Sequence, residues 1–538
     1  MKKTFSFFLS TLLAGALFAG NGKLAKELES LDPTAEVEVI VQYKTTPTEA
    51  HHQKVAAYLK GRLHSKMDFI KAGHYTVPVS ALQSLSEDPD VAYVTPNRPL
   101  RGMMDIPALT VNAGAAVAAG YTGAGISVAV IDSGMYNLND FHGNKVFVSQ
   151  SFVPGNSSVA DQWGHGTHVA GLVGSNGNGT IYTGIVPAVG LVNARVLDQN
   201  GNGTDANVIN AINAVIAAKS QYNIRVMNLS LGRPVFEAAA LDPLCQAVEA
   251  AWKAGIVVVV AAGNQGRNNS AGTYGYGTIA APGNDPYVIT VGAMKDMHTA
   301  SRTDDLIASY SSKGPTAFDH FVKPDIVAPG NQVVSTMAPG AQLLSLYPQN
   351  QVTTNEYTLS GTSMAAPLVS GAAVALIQQN PSLTPDQVKA RLMKTASKTF
   401  PVSSTAIDPS TGLSYTSYYD IFTVGAGYLD IAAALADTSL ATGAALSPVA
   451  LYAPATGTAS LQGIGGANVV WGSNVVWGTN VVWGTNVVWG TNLVWGSNVV
   501  WGTNVVWGTN VVWGTNVVWG STTTDAAESI TVAINGEN

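Results

Sequence analysis

The chain has 538 residues and sets 27 Lys and Arg against 34 Asp and Glu, for a formal charge of −7 without basic clusters, which gives nucleic acid nothing to hold. Hydrophobic residues make up 46% and charged residues only 11%, enough apolar surface for a large buried core. Cys245 is the one cysteine, so an internal disulfide is excluded, and its helix-like setting between Pro243 and Val248 reads as a buried, inert thiol.

In chain order, Lys2 and Lys3 precede an apolar run from Phe5 to Phe18 that ends in small residues, the composition of a secretory signal over residues 1–20. The run is short for a membrane-spanning helix, although an uncleaved anchor is the alternative. Residues 21–103 are richer in charge than the chain as a whole, and that shift marks a separate small module. Within it Glu36–Tyr43 alternates as a strand and Ala50–Leu63 has helical composition. Val79–Ser86 predicts a helix opening after Pro78, and Asp90–Val94 predicts another strand.

Residues 104–436 change character. Apolar runs at 126–131, 191–197, 226–231, 256–261 and 288–291 alternate with helix-like runs at 205–219, 243–254, 364–379 and 385–396. Such alternation predicts a mainly parallel sheet covered on both faces, a three-layer α/β/α domain. Asp132 and Asn264 fall just past the ends of two of these strands, where open parallel sheets place their ligands. His165 stands between Gly164 and Gly166 at the head of a run of small apolar residues. Ser363 stands at the junction of Gly361 and a small-residue helix, whose N-terminus supplies unpaired N–H groups and a positive dipole. A serine nucleophile needs a base, and the base needs an orienting carboxylate. His165 and His168 lack the intervening glutamate and third ligand of a zinc hydrolase, so His168 reads as a packed structural residue.

The segments around Asp132, His165, Asn264 and Ser363 resemble those of subtilisin-type serine peptidases (subtilases, family S8), in the Asp, His, Ser order of subtilisins. The resemblance implies Ser363 as nucleophile, His165 as its base, Asp132 as the group that fixes the imidazole, and Asn264 as an oxyanion donor. It also implies an S1 pocket walled by Ser230, Leu231 and Gly232 on one side and Ala261, Ala262 and Gly263 on the other. Gly201 and Gly203 would lie on the edge that pairs with substrate backbone as an added strand. No acidic residue adjoins the wall at Gln265, so broad specificity with uncharged P1 residues is expected. Catalysis needs no cofactor on this reading. Asp140 and Asn178 match positions that give oxygens to a structural Ca2+ in the family, while Asn/Gly loops of this kind also occur as plain turns. The charged module resembles the inhibitor I9-like propeptide of subtilases, a small α+β chaperone and intramolecular inhibitor, with processing near Met103 or Met104. A retained accessory domain is the alternative.

Past Ala436 come a linker at 437–466, hexapeptide repeats of the type Asn-Val-Val-Trp-Gly-Ser/Thr at 467–520, and a tail at 521–538. Trp471 to Trp519 recur every six residues, and an even period keeps each residue type on one side of an extended chain. A C-terminal β region such as a three-sided solenoid, an unordered tail, and a carbohydrate or cell-surface binder all fit this composition. The overall expectation is a secreted, extracellular or cell-surface serine endopeptidase acting on proteins and peptides. A non-catalytic surface or adhesion protein on a peptidase scaffold is the alternative.

Overall fold

The alternation in β1 (Glu36–Tyr43) is that of a strand with one covered face: Val39, Val41 and Tyr43 are buried and their neighbours reach further into solvent. The computed structural model describes residues 23–25, 28, 31–97, 106–142, 146–180, 183–270, 272–408, 411–453, 458–463, 482–483, 487–488 and 536–537. The chain divides into two units, residues 1–101 and 102–538.

In the first unit β1 is joined by β2 (Arg62–Met67), β3 (Ala72–Pro78) and β4 (Val91–Pro96) in an antiparallel sheet of order β2-β3-β1-β4. Helices α1 (Glu49–Gln53) and α2 (Leu82–Glu87) complete the α+β unit, and Val39, Val41, Tyr75, Val77, Leu85 and Val94 form its core. The helix expected to reach Leu63 stops early. Lys60 is left-handed at φ 53°, and a Cβ on Gly61 would come within 2.9 Å of both Val55 and Val77, so the chain turns there and Arg62 opens β2. Strand β3 was not foreseen, because Gly73, His74 and Pro78 dilute its alternation.

In the second unit the predicted strands appear as β5 (Ser127–Asp132), β7 (Gly190–Arg195), β8 (Ile224–Leu229), β9 (Val257–Ala261) and β10 (Ile289–Lys295). Further strands are β6 (Val146–Ser151), β11 (Leu306–Ile307) and β12 (Ile326–Pro329). The order is β11-β10-β9-β8-β5-β7-β6, with β12 also on β10; every pairing is parallel except β10 with β11. Strands β5, β7 and β9 are buried along their whole length, β9 as an unbroken apolar run and β5 and β7 with Ser127, Asp132, Asn193 and Arg195 buried among apolar residues.

Helices α3 (His165–Gly174), α4 (Asp205–Ala218), α5 (Pro243–Lys253), α6 (Thr362–Gln379) and α7 (Pro385–Thr395) flank this sheet. Thr204, Asp242 and Thr384 cap α4, α5 and α7 through their side chains. Helix α6 packs on β8, β9, β10 and β12. Its small residues also let it close on the segment that leads into β7, where a Cβ on Gly371 would lie 2.5 Å from Ile185. The signal segment, the processing region at 100–103 and most of the repeats lie outside the described residues; within the repeats, Val482–Trp483 pairs antiparallel with Val487–Val488.

Candidate active site

Asp132 closes β5, at the carboxyl edge of the sheet, and is 1% exposed. Its Oδ1 accepts from His165 Nδ1 at 2.7 Å and from the Ser133 amide at 2.7 Å. Since a carboxylate only accepts, Nδ1 carries the proton and Nε2 of the neutral ring is left as the base. Burial disfavours the charged imidazolium, but the attraction and hydrogen bond of Asp132, with help from Asp161, outweigh it and hold the His165 pKa above the usual value.

His165 opens α3 because Gly164, at φ 111°, turns the chain and Asp161 ties down the first helical amides. Asp161 accepts from the Gly164 and Thr167 amides, each at 2.7 Å, and from Ser133 Oγ at 2.8 Å. Ser133 Oγ in turn accepts from the Gly166 amide at 2.9 Å. Burial raises the Asp161 pKa in spite of these bonds. This carboxylate was missed in the sequence; its signal was an Asp shortly before a helix start, where side chains bond the unpaired amides.

The serine turn is stitched to the same edge of the sheet. Ser363 is the one residue of 361–377 that is not buried. Its Oγ donates to the Ser230 carbonyl at 3.1 Å, just past the end of β8, and Ser230 Oγ donates to the Ser363 carbonyl at 2.8 Å. Among the described residues Ser363 Oγ thus bonds to Ser230 and not to His165. Past β9, Asn264 Oδ1 accepts from the Thr362 amide at 2.9 Å and Thr362 Oγ1 at 3.1 Å. Thr362 Oγ1 also accepts from the Gly263 amide at 3.0 Å. These contacts fix the amide's orientation: its oxygen must face the Thr362 N–H, which leaves Nδ2 free to donate. A Cβ on Gly361, at φ 140°, would stand 3.1 Å from that nitrogen, so glycine keeps the approach open.

The other expected residues distribute unevenly. Ser230, Leu231 and Gly232 follow β8, and a Cβ on Gly232 would meet the Ala281 carbonyl at 2.9 Å. Ala261 and Ala262 are buried at the end of β9, so of that wall only Gly263, at φ 103°, reaches the surface. Gly201, at φ 77° against the Trp163 indole, and Gly203 lie on a turn organised by Asp198, whose Oδ1 accepts from the Asn200 and Asn202 amides. His168 is buried with Nε2 at 3.1 Å from the Val333 carbonyl and 3.0 Å from that of Tyr357; burial pushes its pKa down to about 3, so it is a neutral packing residue. The Cys245 thiol is buried and its pKa raised, chiefly by that burial.

Asp140 is fully buried beneath the 175–180 loop, where Oδ1 accepts from Ser175 Oγ at 2.9 Å and from Thr180 Oγ1. Its Oδ2 has no hydrogen-bond partner among the described residues and lies against Gly179. Asn178 is on the exposed side of the same loop and is not among the partners of Asp140.

A mainly parallel sheet with a buried Asp bonded to a half-buried His, and with a serine turn at its carboxyl edge, is the architecture of a subtilisin-like hydrolase. The subtilase family, peptidase family S8, matches residues 123–416, over half of the chain, and the chain belongs to that family; it is a serine-type endopeptidase. It is 38% identical to the serine protease AprX of Bacillus subtilis (strain 168) over 372 residues, 66% of this chain and 81% of that protein. It is 38% identical to subtilisin DY of Bacillus licheniformis over 280 residues, 52% of this chain and 86% of that protein. Against subtilisin E of Bacillus subtilis (strain 168) the identity is 33% over 371 residues, 68% of this chain and 86% of the relative.

Proposed function

We propose that this subtilase hydrolyses peptide bonds with Ser363 as nucleophile, His165 as general base and acid, and Asp132 as the anchor of the imidazole. The observation that carries this reading is the tying of the Ser363 turn to Ser230 and Asn264, past β8 and β9, beside the strand that ends in the Asp132–His165 pair. Substrate binding turns the Ser363 hydroxyl from Ser230 to His165 Nε2, which takes its proton as Oγ attacks the scissile carbonyl. The imidazolium then protonates the leaving amine, and water enters by the reverse route to release the acyl group. Asn264 Nδ2 and the Ser363 N–H receive the oxyanion, an interaction worth most in the transition state.

A peptide lies against Gly201 and Gly203 on one side and Ser230 to Gly232 on the other, recognised through its backbone. Uncharged P1 residues are favoured because no acidic residue adjoins Gly263 in the sequence, where Asn264 and Gln265 follow. Residues 21–103 act as propeptide and inhibitor, the enzyme is exported, and among the described residues no helix is long and apolar enough to cross a membrane. Asp140 holds a structural calcium through its unpartnered Oδ2; the ion takes no part in catalysis.

The test is labelling of the secreted, processed protein by a fluorophosphonate, beside sequencing of its N-terminus. Labelling that vanishes in Ser363→Ala, on a chain beginning near Met103, is expected. A processed wild type that takes no label, or a Ser363→Ala variant that still does, would favour the scaffold alternative.

A further inference from the structure

Glu537 lies beyond the repeats in sequence, yet it is 6% exposed within the peptidase unit. Its carboxylate meets two buried cations: Oε1 is 2.9 Å from Arg267 Nη2, and Oε2 is 3.4 Å from Lys295 Nζ. Ser309 Oγ also donates to Oε1. The backbone is gripped in both directions, with Asn331 Nδ2 donating to the Glu537 carbonyl at 2.7 Å and the Glu537 amide donating to Asn331 Oδ1 at 2.8 Å. Gly536 fits where a side chain would not: its Cβ would lie 2.5 Å from Ser360 Oγ and 2.7 Å from Gln332 Cγ, at φ 67°.

Arg267 is itself held in place, by Asp408 at 2.7 Å and by the Tyr415 ring, whose centroid is 4.7 Å from the guanidinium carbon. Two buried cations sharing one carboxylate in a low-dielectric site lose heavily when that carboxylate goes. The other flank of the repeats is anchored too. The Val322 amide donates to the Pro448 carbonyl at 2.8 Å and the Ala450 amide to the His320 carbonyl at 2.8 Å, where the hairpin of Val449–Ala453 with Thr458–Gln462 begins.

We propose that Arg267, Lys295, Ser309 and Asn331 form a binding site for an acidic peptide, occupied by Gly536–Glu537 of the same chain, so that the described segments before and after the repeats are both fastened to the peptidase domain. The site adjoins the serine turn: Arg267 is three residues past Asn264, and the Gly361 amide donates at 2.7 Å to Gly330, the neighbour of Asn331.

The test uses the chain lacking residues 536–538 and a fluorescein-labelled peptide of residues 529–538, both in a Ser363→Ala background so that the probe is not digested. The shortened chain is expected to bind the probe saturably. The full chain should bind it at least tenfold more weakly, because its own segment fills the site, and a probe carrying Glu537→Gln should bind the shortened chain at least tenfold more weakly. Absence of binding to a folded shortened chain, or equal binding of the two probes, overturns the proposal. If the shortened chain does not fold, Glu537→Gln in the full chain decides by hydrogen exchange: at least tenfold faster exchange at the Glu537 and Gln332 amides is expected, and unchanged rates overturn it. A dimer in light scattering that dissociates in Glu537→Gln would assign the occupant to a second copy and overturn the same-chain assignment.

Discussion

Ser230 gives the Ser363 carbonyl the hydrogen bond that Pro367 cannot. In a regular helix that carbonyl would accept from the amide four residues on, but the residue there is Pro367, which has none. Ser230 Oγ fills the gap at 2.8 Å while its own carbonyl holds Ser363 Oγ. The pair therefore fixes both the main chain and the hydroxyl of the serine.

Ser230→Ala should leave a polar group at the helix start unsatisfied and destabilise the domain by about 1–3 kcal/mol. In a Pro367→Ala background the restored amide can serve the carbonyl, so the same substitution should cost less. A double-mutant cycle in thermal or denaturant unfolding measures the coupling. Additive effects would mean that the two residues do not share this carbonyl.

The acid limb of activity should lie above the ordinary histidine pKa of about 6.5. With His165 as the proposed base, its neutral form does the work, and because its pKa is raised, kcat/KM should fall as pH drops through that raised value. The stability linkage has the opposite sense. Protonated His165 stabilises the fold fully below the unfolded pKa, and this contribution is lost as pH rises through the folded one. Asp132→Asn removes the attraction and leaves burial, the largest influence on the ring and a downward one. The limb should then move to lower pH while kcat falls by about 10⁴, the scale of a misplaced tautomer. An acid limb that stays where it was in pH–rate profiles of Asp132→Asn would remove Asp132 as its cause.

Asn264 has two separable tasks. Its oxygen holds the Thr362 amide at 2.9 Å and its nitrogen faces the opening beside Gly361. Asn264→Ala loses both and should reduce kcat by about 10²–10³ with little change in KM, together with roughly 1 kcal/mol of stability. Asn264→Asp keeps an acceptor for Thr362 but sets a negative charge where the oxyanion forms. It should retain the melting temperature of the parent more closely and lose at least as much kcat. Steady-state kinetics paired with calorimetry tests this, and an active Asp variant would refute the oxyanion role.

Much of this arrangement was legible in residue order, because its strands are mainly apolar runs, broken only by single polar residues such as Asn193 in β7 and Asn228 in β8, and each catalytic candidate stands at a strand end or helix start marked by glycine. The runs expected at 205–219, 243–254 and 385–396 match helices α4, α5 and α7 to within a residue, since Thr204, Asp242 and Thr384 cap them and prolines open the last two, all local features. What escaped was non-local. Asp161 bracing His165, and Ser230 standing in for the missing Pro367 amide, depend on chain segments that meet only when the sheet is assembled. The turn at Lys60–Gly61 likewise overrode a helical composition, because Gly61 packs against Val77 on a distant strand.

Calcium removal offers the sharpest check on Asp140. Two hydroxyls serve its Oδ1, whereas Oδ2 is buried and unpartnered among the described residues, a costly state for a carboxylate unless a cation faces it. Binding to the folded state alone stabilises by about 2.7 kcal/mol when calcium is a hundred times its Kd, so chelation should lower the melting temperature and added calcium restore it. Asp140→Asn should melt lower than the parent and show no further response to chelator. Asn178→Ala should respond almost as the parent does, because its exposed side chain is not a partner of Asp140. Equal sensitivity of the parent and Asp140→Asn to chelator would place any bound calcium elsewhere in the molecule.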